Sequence, residues 1–298
     1  MTGKCTGLPS KPQKDLAQEN LAIYEAYETA PYLSIKHSSY FHVYEKLISP
    51  FRNRDITFVE VGVFHGGSLF MWRNFLGPQA RIIGVEFNPG AKRWEKDGFE
   101  IHIGDQSDVH FWENFYRKIG PIDVLLDDGG HSNEQQIVTV SQSAANINNG
   151  GLIIVEDTHT SYMSQFGNPS KYSFMNFSFD VVDSINSRFP AVKKSSNPLA
   201  AEISSVEFHE SIVSFRIDRL DCFASEPTSN DGEEVDAIDY RHHGTVSSFL
   251  GSTRRKLSEA FSDLDQDGWM SGIAKSVFNG LLFLQHRLLP QKQKKYFG

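Results

Sequence analysis

The chain has 298 residues, a formal net charge of -8 and a hydrophobic fraction of 39%. That length and apolar content suffice for one large packed domain with extensions and exclude a fibrous or disordered protein. Acidic and basic residues are mixed along the chain without Lys/Arg clusters, which speaks against the phosphate attraction that nucleic-acid binding rests on, so no nucleic-acid partner is expected.

The opening stretch MTGKCTGLPSKPQK reads as a Gly-, Pro- and Lys-rich leader without an apolar signal segment, and no apolar run is long enough to span a bilayer. The two cysteines, Cys5 and Cys222, make neither a disulfide framework nor a Cys-x-x-Cys pair, so a reducing, cytoplasmic setting is expected. Asp15 to Thr29 predicts a polar-faced helix that caps the core. From Ile56 onward, apolar runs alternate with Gly-rich or acidic turns and helix-length segments. Strands are predicted at Ile56–Val61, Arg81–Glu86, Phe99–Ile103, Ile122–Asp127 and Leu152–Asp157, rich enough in Val, Ile and Leu to be buried on both faces of a parallel sheet.

The first helix should run from Gly67 to a stop at Gly77-Pro78, and Ser132-Asn133-Glu134-Gln135 reads as a capping box opening another. A long polar and aromatic connection, Thr158 to Phe179, precedes a helix near Phe179–Arg188, and Val206–Ile217 turns around Glu210-Ser211 as an antiparallel hairpin. An amphipathic tail helix is predicted over Ser271–Leu289. The expected fold is a doubly wound, Rossmann-like α/β sheet. Its division would be 1–50 leader and helical cap, 51–220 core, and 221–298 an extension used for packing or oligomer contact.

Open α/β sheets bind ligands at the carboxyl ends of their strands. After the first strand comes Glu60-Val61-Gly62-Val63-Phe64-His65-Gly66-Gly67-Ser68, whose small residues let a ligand approach a helix N-terminus. Its spacing is not that of a dinucleotide fingerprint. Glu86 closes the second strand, where a carboxylate can accept ribose hydroxyls. Asp105-Gln106-Ser107-Asp108 follows the third, with Asp108 read as a helix cap. Together these point to a nucleoside cofactor without a diphosphate.

The fourth and fifth strands end in Asp127-Asp128-Gly129-Gly130-His131 and Glu156-Asp157-Thr158-His159. In a parallel sheet both clusters emerge on one edge, where their carboxylates repel unless a cation or proton is present. Carboxylates without cysteine favour a hard divalent ion such as Mg²⁺, with Asp128, Glu156 and Asp157 as ligands. His131 is assigned as general base, with metal ligation as the alternative, because an imidazole is suited to accept a hydroxyl proton. Asp127 orients the turn or touches the cofactor, and His159 is as readily structural as functional. The plainer alternative for the whole group is helix capping.

These motifs resemble the macrocin, mycinamicin and rhamnosyl O-methyltransferase family, related to the cephalosporin hydroxylase-like proteins. The likeness runs roughly from His37 to Ile217, on KHSSYFHVYEKL (Lys36–Leu47), VEVGVFHGGSLFMWRNFLGP (Val59–Pro78), GDQSD (Gly104–Asp108), DDGGHS (Asp127–Ser132) and GGLIIVEDTHTSY (Gly150–Tyr162). The resemblance implies a class I methyltransferase fold, S-adenosylmethionine as cofactor and Mg²⁺-assisted methylation of a sugar hydroxyl. By position it implies Asp128, Glu156 and Asp157 as metal ligands and His131 as base. For the cofactor it implies Glu60, Gly62, Glu86, Asp105 and Gln106, and His65, Ser68 and Asp127 are counted with them.

The sequence departs from the family at Gly130, where Ser is usual, and at Glu86, where Asp is usual. A small-molecule hydroxyl acceptor and a homo-oligomer are expected. The competing readings are oxidative chemistry or methylation of a phenol or carboxylate, and a noncatalytic biosynthetic partner. Asp263–Gly268 opens like an EF-hand but has Ala274 in place of the bidentate Glu, so calcium is not expected there.

Overall fold

In the computed structural model, which describes residues 20–167, 170–190, 192–233 and a few isolated positions beyond, the five predicted runs are the parallel strands of one sheet. They are β1 (Thr57–Val61), β2 (Arg81–Glu86), β3 (Glu100–Ile103), β4 (Ile122–Asp127) and β5 (Ile147–Val155). The hairpin β6 (Ile203–His209) and β7 (Ile212–Ile217) adds antiparallel strands, giving the order β3-β2-β1-β4-β5-β7-β6. The order reverses between β1 and β4, which places a crevice beyond their carboxyl ends.

Each β-strand sends alternate side chains to opposite faces, so the sheet has two cores. Phe58, Ile82, Val124, Leu126, Leu152 and Ile154 pack with helices α1 (Ala22–Glu28), α2 (Tyr40–Ile48) and α3 (Gly67–Leu76). On the other face Val59, Val85, Leu125, Ile153 and Phe215 pack with α4 (Val109–Ile119), α5 (Asn133–Ser143) and α6 (Phe174–Asn186). The predicted capping box is present: Ser132 accepts from the Gln135 amide, and the Gln135 side chain accepts from the Ser132 amide. Asp108 caps α4 by accepting from the His110 amide.

Several boundaries differ from the sequence-based expectation. β5 begins at Ile147, not Leu152, because Ile147 pairs with Ile122 across a register shift that carries the strand through Asn148-Asn149-Gly150. It ends at Val155, so Glu156 and Asp157 lie beyond the strand. α6 starts at Phe174 rather than Phe179, since the Ser173 side chain caps it by accepting from the Asn176 amide. β6 starts three residues before the expected hairpin segment, at Ile203. The expected helix at Asp15–Thr29 is α1 over Ala22–Glu28, with residues before Asn20 outside the described part. The tail helix and the EF-hand-like loop also fall outside it, apart from isolated positions.

By its contacts the chain divides into two units, Met1–Pro227 and Thr228–Gly298. The first holds the whole sheet and both cores. Among the described residues, no helix is long and apolar enough to cross a membrane.

Candidate active site

A cleft of about 610 Å³ opens beyond the ends of β1, β2, β3 and β4, a volume suited to a nucleoside-sized ligand. Its wall includes Gly62, His65, Ser68, Glu86, Asp105, Gln106, Asp128, His131 and Asp157. Three other expected site residues, Glu60, Asp127 and Glu156, are buried behind that wall rather than on it.

The turn after β1 approaches β4 so closely that only glycine fits. At Gly62, φ is +89° and a Cβ would lie 2.1 Å from the Asp128 carbonyl oxygen. Glu86 braces the same turn, its Oε2 accepting from the Val63 and Phe64 amides at 2.8 and 3.1 Å. With Asn88 N–H on Oε1, the carboxylate keeps acceptor capacity for a ligand hydroxyl in the cleft. Asp105 is exposed at the rim, and its Oδ1 accepts from the Ser107 amide and hydroxyl. The roof on the α3 side is the backbone of residues 32–35, for a Cβ on Gly67 would sit 2.3 Å from the Tyr32 carbonyl oxygen.

The alternation of β4 and β5 decides where each acid points. Asp127 pairs with Val155 in the register and shares the face of Leu125, so its side chain turns toward α5. There the buried amide of Gln106 donates to both Asp127 oxygens at 3.0 and 3.1 Å and to Thr139 at 3.2 Å. The Gln106 side-chain oxygen Oε1 accepts from the Gly130 amide at 2.8 Å, so Gln106 and Asp127 together shape the turn that carries Asp128 and His131. Burial raises the Asp127 pKa, against the pull of the Gln106 amide.

Asp128 and Glu156 fall on the opposite face, toward α2. Lys36, whose side chain is 2% exposed, places its ammonium 2.6 Å from Asp128 Oδ2 and 3.0 Å from Glu156 Oε2. The Tyr44 hydroxyl donates to Glu156 Oε1 at 2.6 Å. Glu60 is on that face too, accepting from Ser68 Oγ at 2.8 Å and Trp72 Nε1 at 3.0 Å. Burial pushes the Glu60 carboxyl up to about 7, opposed by Lys36 and assisted by Asp128.

At the mouth, ligand-capable atoms of Asp128, His131 and Asp157 lie within 4.8 Å of one another. His131 Nε2 is 3.4 Å from Asp157 Oδ2, and its buried Nδ1 has no partner among the described residues. Asp157 is steadied from its other side by the Tyr40 hydroxyl, which donates to Oδ1. The Tyr40 hydroxyl oxygen also lies 2.8 Å from Ser211 Oγ, which in turn lies 2.5 Å from His159 Nδ1. His159 is thus held by the β6–β7 turn.

The structure therefore brings Asp128, His131 and Asp157 together on the cleft wall and sets Glu156 behind Asp128. Sequence reasoning assigned no role to Lys36, Tyr40, Tyr44 or Ser211. Tyr40 and Tyr44 stand four residues apart on α2, a spacing that puts them on one helical face and is the signal from which they were accessible, whereas Lys36 precedes the helix. Ser211 carries no such signal, because its place depends on a hairpin pairing.

A family profile described as "Methyltransferase domain" matches residues 59–158. The 8-demethyl-8-alpha-L-rhamnosyl tetracenomycin-C 2'-O-methyltransferase of Streptomyces olivaceus is 33% identical over 148 residues, 45% of this chain and 39% of that protein. Mycinamicin VI 2''-O-methyltransferase of Micromonospora griseorubida is 31% identical over 133 residues, 42% of this chain and 32% of its own length. The matched part is thus well under two thirds of either relative. Among solved structures, the MycE methyltransferase of the mycinamycin biosynthetic pathway, in complex with Mg and SAH, superposes with a TM-score of 0.59 at 23% identity, covering 71% of this chain and 58% of that one. Over residues 59–158 the chain is a methyltransferase domain, built on the Rossmann-like class I fold and related to the rhamnosyl and macrolide sugar O-methyltransferases.

Proposed function

We propose that the protein transfers a methyl group from S-adenosylmethionine to a hydroxyl of a sugar or glycosylated small molecule, assisted by a divalent cation such as Mg²⁺. The observation that carries this reading is the meeting of Asp128, His131 and Asp157 on the wall of a nucleoside-sized cleft. The relatives' names supply the acceptor class, since the two above methylate sugar hydroxyls of glycosylated natural products.

S-adenosylmethionine supplies the methyl group, and a bound cation lowers the pKa of an acceptor hydroxyl and fixes its oxygen. The donor set suits such an ion, for two carboxylates and an imidazole converge within coordination reach while the imidazole keeps an unpartnered buried nitrogen. Asp128 and Asp157 would hold it, while Glu156 stands behind Asp128 with the Lys36 ammonium between the two acids. Gly62 lets a cofactor lie against the β1 turn, Glu86 receives ribose hydroxyls, and Asp105 and Gln106 border the base. His131 takes the hydroxyl proton, with Asp157 beside it to steady the imidazolium that results.

The test is transfer of labelled methyl groups to a panel of glycosides, with Mg²⁺ or with chelator. Chelation should abolish turnover and Mg²⁺ restore it. Asp128→Ala and His131→Ala should each lose on the order of 10²-fold or more in kcat. Full activity in both variants would overturn the site, and a cofactor-binding protein that methylates no glycoside would overturn the acceptor class.

A further inference from the structure

We propose that Lys36 is the resident counter-charge of the cation site: its ammonium, held between Asp128 and Glu156, competes with a divalent ion for Asp128, weakening cation binding while keeping the cation-free protein folded. This rests on the cation reading above.

Lys36 is the basic side chain set between these acids. Its Nζ reaches Asp128 Oδ2 at 2.6 Å and the two Glu156 oxygens at 3.2 and 3.0 Å, which uses the donors an ammonium has. Asp128 belongs both to this ion pair and to the Asp128–His131–Asp157 group. One carboxylate therefore serves two possible cations. With two carboxylates against it at these distances, the ammonium is held in its charged form and is no candidate base.

Two consequences of opposite sign follow. Without the ammonium, the buried Glu156 and the partly exposed Asp128 would face each other with no compensating charge, which destabilises a fold. With it, an incoming dication meets a positive charge that solvent barely screens, because Lys36 is buried. A lysine that only held the carboxylates in place would show the first effect and not the second. Removing it would then loosen the ligands and weaken the cation.

The experiment titrates Mg²⁺ calorimetrically into the full-length chain and into Lys36→Gln, Lys36→Met and Tyr44→Phe, with thermal unfolding of each in chelator and in Mg²⁺. Tyr44→Phe removes a neutral donor to Glu156 and controls for simple loosening. The expected result is a Kd for Mg²⁺ at least about tenfold lower in both Lys36 variants. Their Tm in chelator should lie below that of the parent and recover with Mg²⁺, while the Kd of Tyr44→Phe stays within about threefold of the parent.

A Lys36 variant that folds only when Mg²⁺ is present also supports the proposal. An unchanged or higher Kd in the Lys36 variants overturns it, as does a gain in Tyr44→Phe as large as theirs, or variants that fold in neither condition. If the parent itself binds no Mg²⁺ and neither Lys36 variant does, the cation reading fails as well. That outcome is distinct from a parent that binds the ion and variants that bind it no better.

Discussion

Phe64, His131 and Asp157 hold left-handed backbone at φ of 44°, 58° and 56° without being glycine, and all three border the cleft. For an L-residue this conformation costs on the order of 1 kcal/mol, and it persists where the surroundings over-determine it. At His131 the surroundings are the Gln106–Gly130 bond and the capping box that begins at the next residue. His131→Gly should therefore be more stable than His131→Ala by about 1 kcal/mol in urea, while both lose methyl transfer alike. Equal stabilities would show that the backbone there is unstrained.

Glu60 gives a pH dependence whose sign is fixed. Its folded pKa of about 7 stands above an ordinary value of 4.5, so between those limits the folded state binds more protons than the unfolded one. Its contribution is complete below about pH 4.5 and is lost as the pH rises to about 7. Glu60→Gln keeps partners for Ser68 and Trp72 and removes the titration. Its loss of stability between pH 5 and 7.5 should be smaller than the parent's, by at most about 3 kcal/mol. Identical slopes in urea unfolding would mean that Glu60 is ionised throughout.

Among the elements, the β1 turn and the β4 turn are locked by a single close approach. Gly62→Ala would drive a Cβ into the Asp128 carbonyl at a φ that alanine avoids. It should lower stability by about 1–3 kcal/mol and weaken S-adenosylhomocysteine and Mg²⁺ together, as read by urea unfolding and calorimetry. A variant bound as tightly as the parent would show that the two turns move independently.

The sheet was legible because its strands are short Val-, Ile- and Leu-rich runs ending in acids and glycines. β4 and β2 were legible to the residue. β5 was not, since Asn148-Asn149-Gly150 has the composition of a turn and is extended only by its pairing with β4. The acids at the strand tips were legible as a group, because parallel strands release them on one edge. Which of them reach the cleft was decided by side-chain parity, and by Lys36 and Tyr44 claiming Glu156 from α2 and the segment before it, a long-range pairing that no local pattern encodes.

For the whole molecule, the break in contacts after Pro227 comes once β7 has closed the sheet and both cores are complete. A chain ended at Pro227 should unfold cooperatively, with a Tm within a few degrees of the parent, and still bind S-adenosylhomocysteine. Loss of cooperativity would assign residues 228–298 a part in the fold of the first unit. In the described part of the expected cap, Ile23, Tyr44 and Leu47 join the same buried cluster as Trp72 and Leu126.

The strip of backbone from Tyr32 to Lys36 is fastened twice, by the Tyr27 hydroxyl on the Ser34 carbonyl and by the Lys36 ammonium on Asp128 and Glu156. Just before the first fastening, at Tyr32 and Leu33, it presses on Gly67 beside the nucleoside-sized cleft. One rivet is a neutral hydrogen bond and the other is ionic. Whatever changes the charge at the acidic corner would thereby change the slack in the awning over its neighbour, tying the hold on one proposed ligand to the hold on the other.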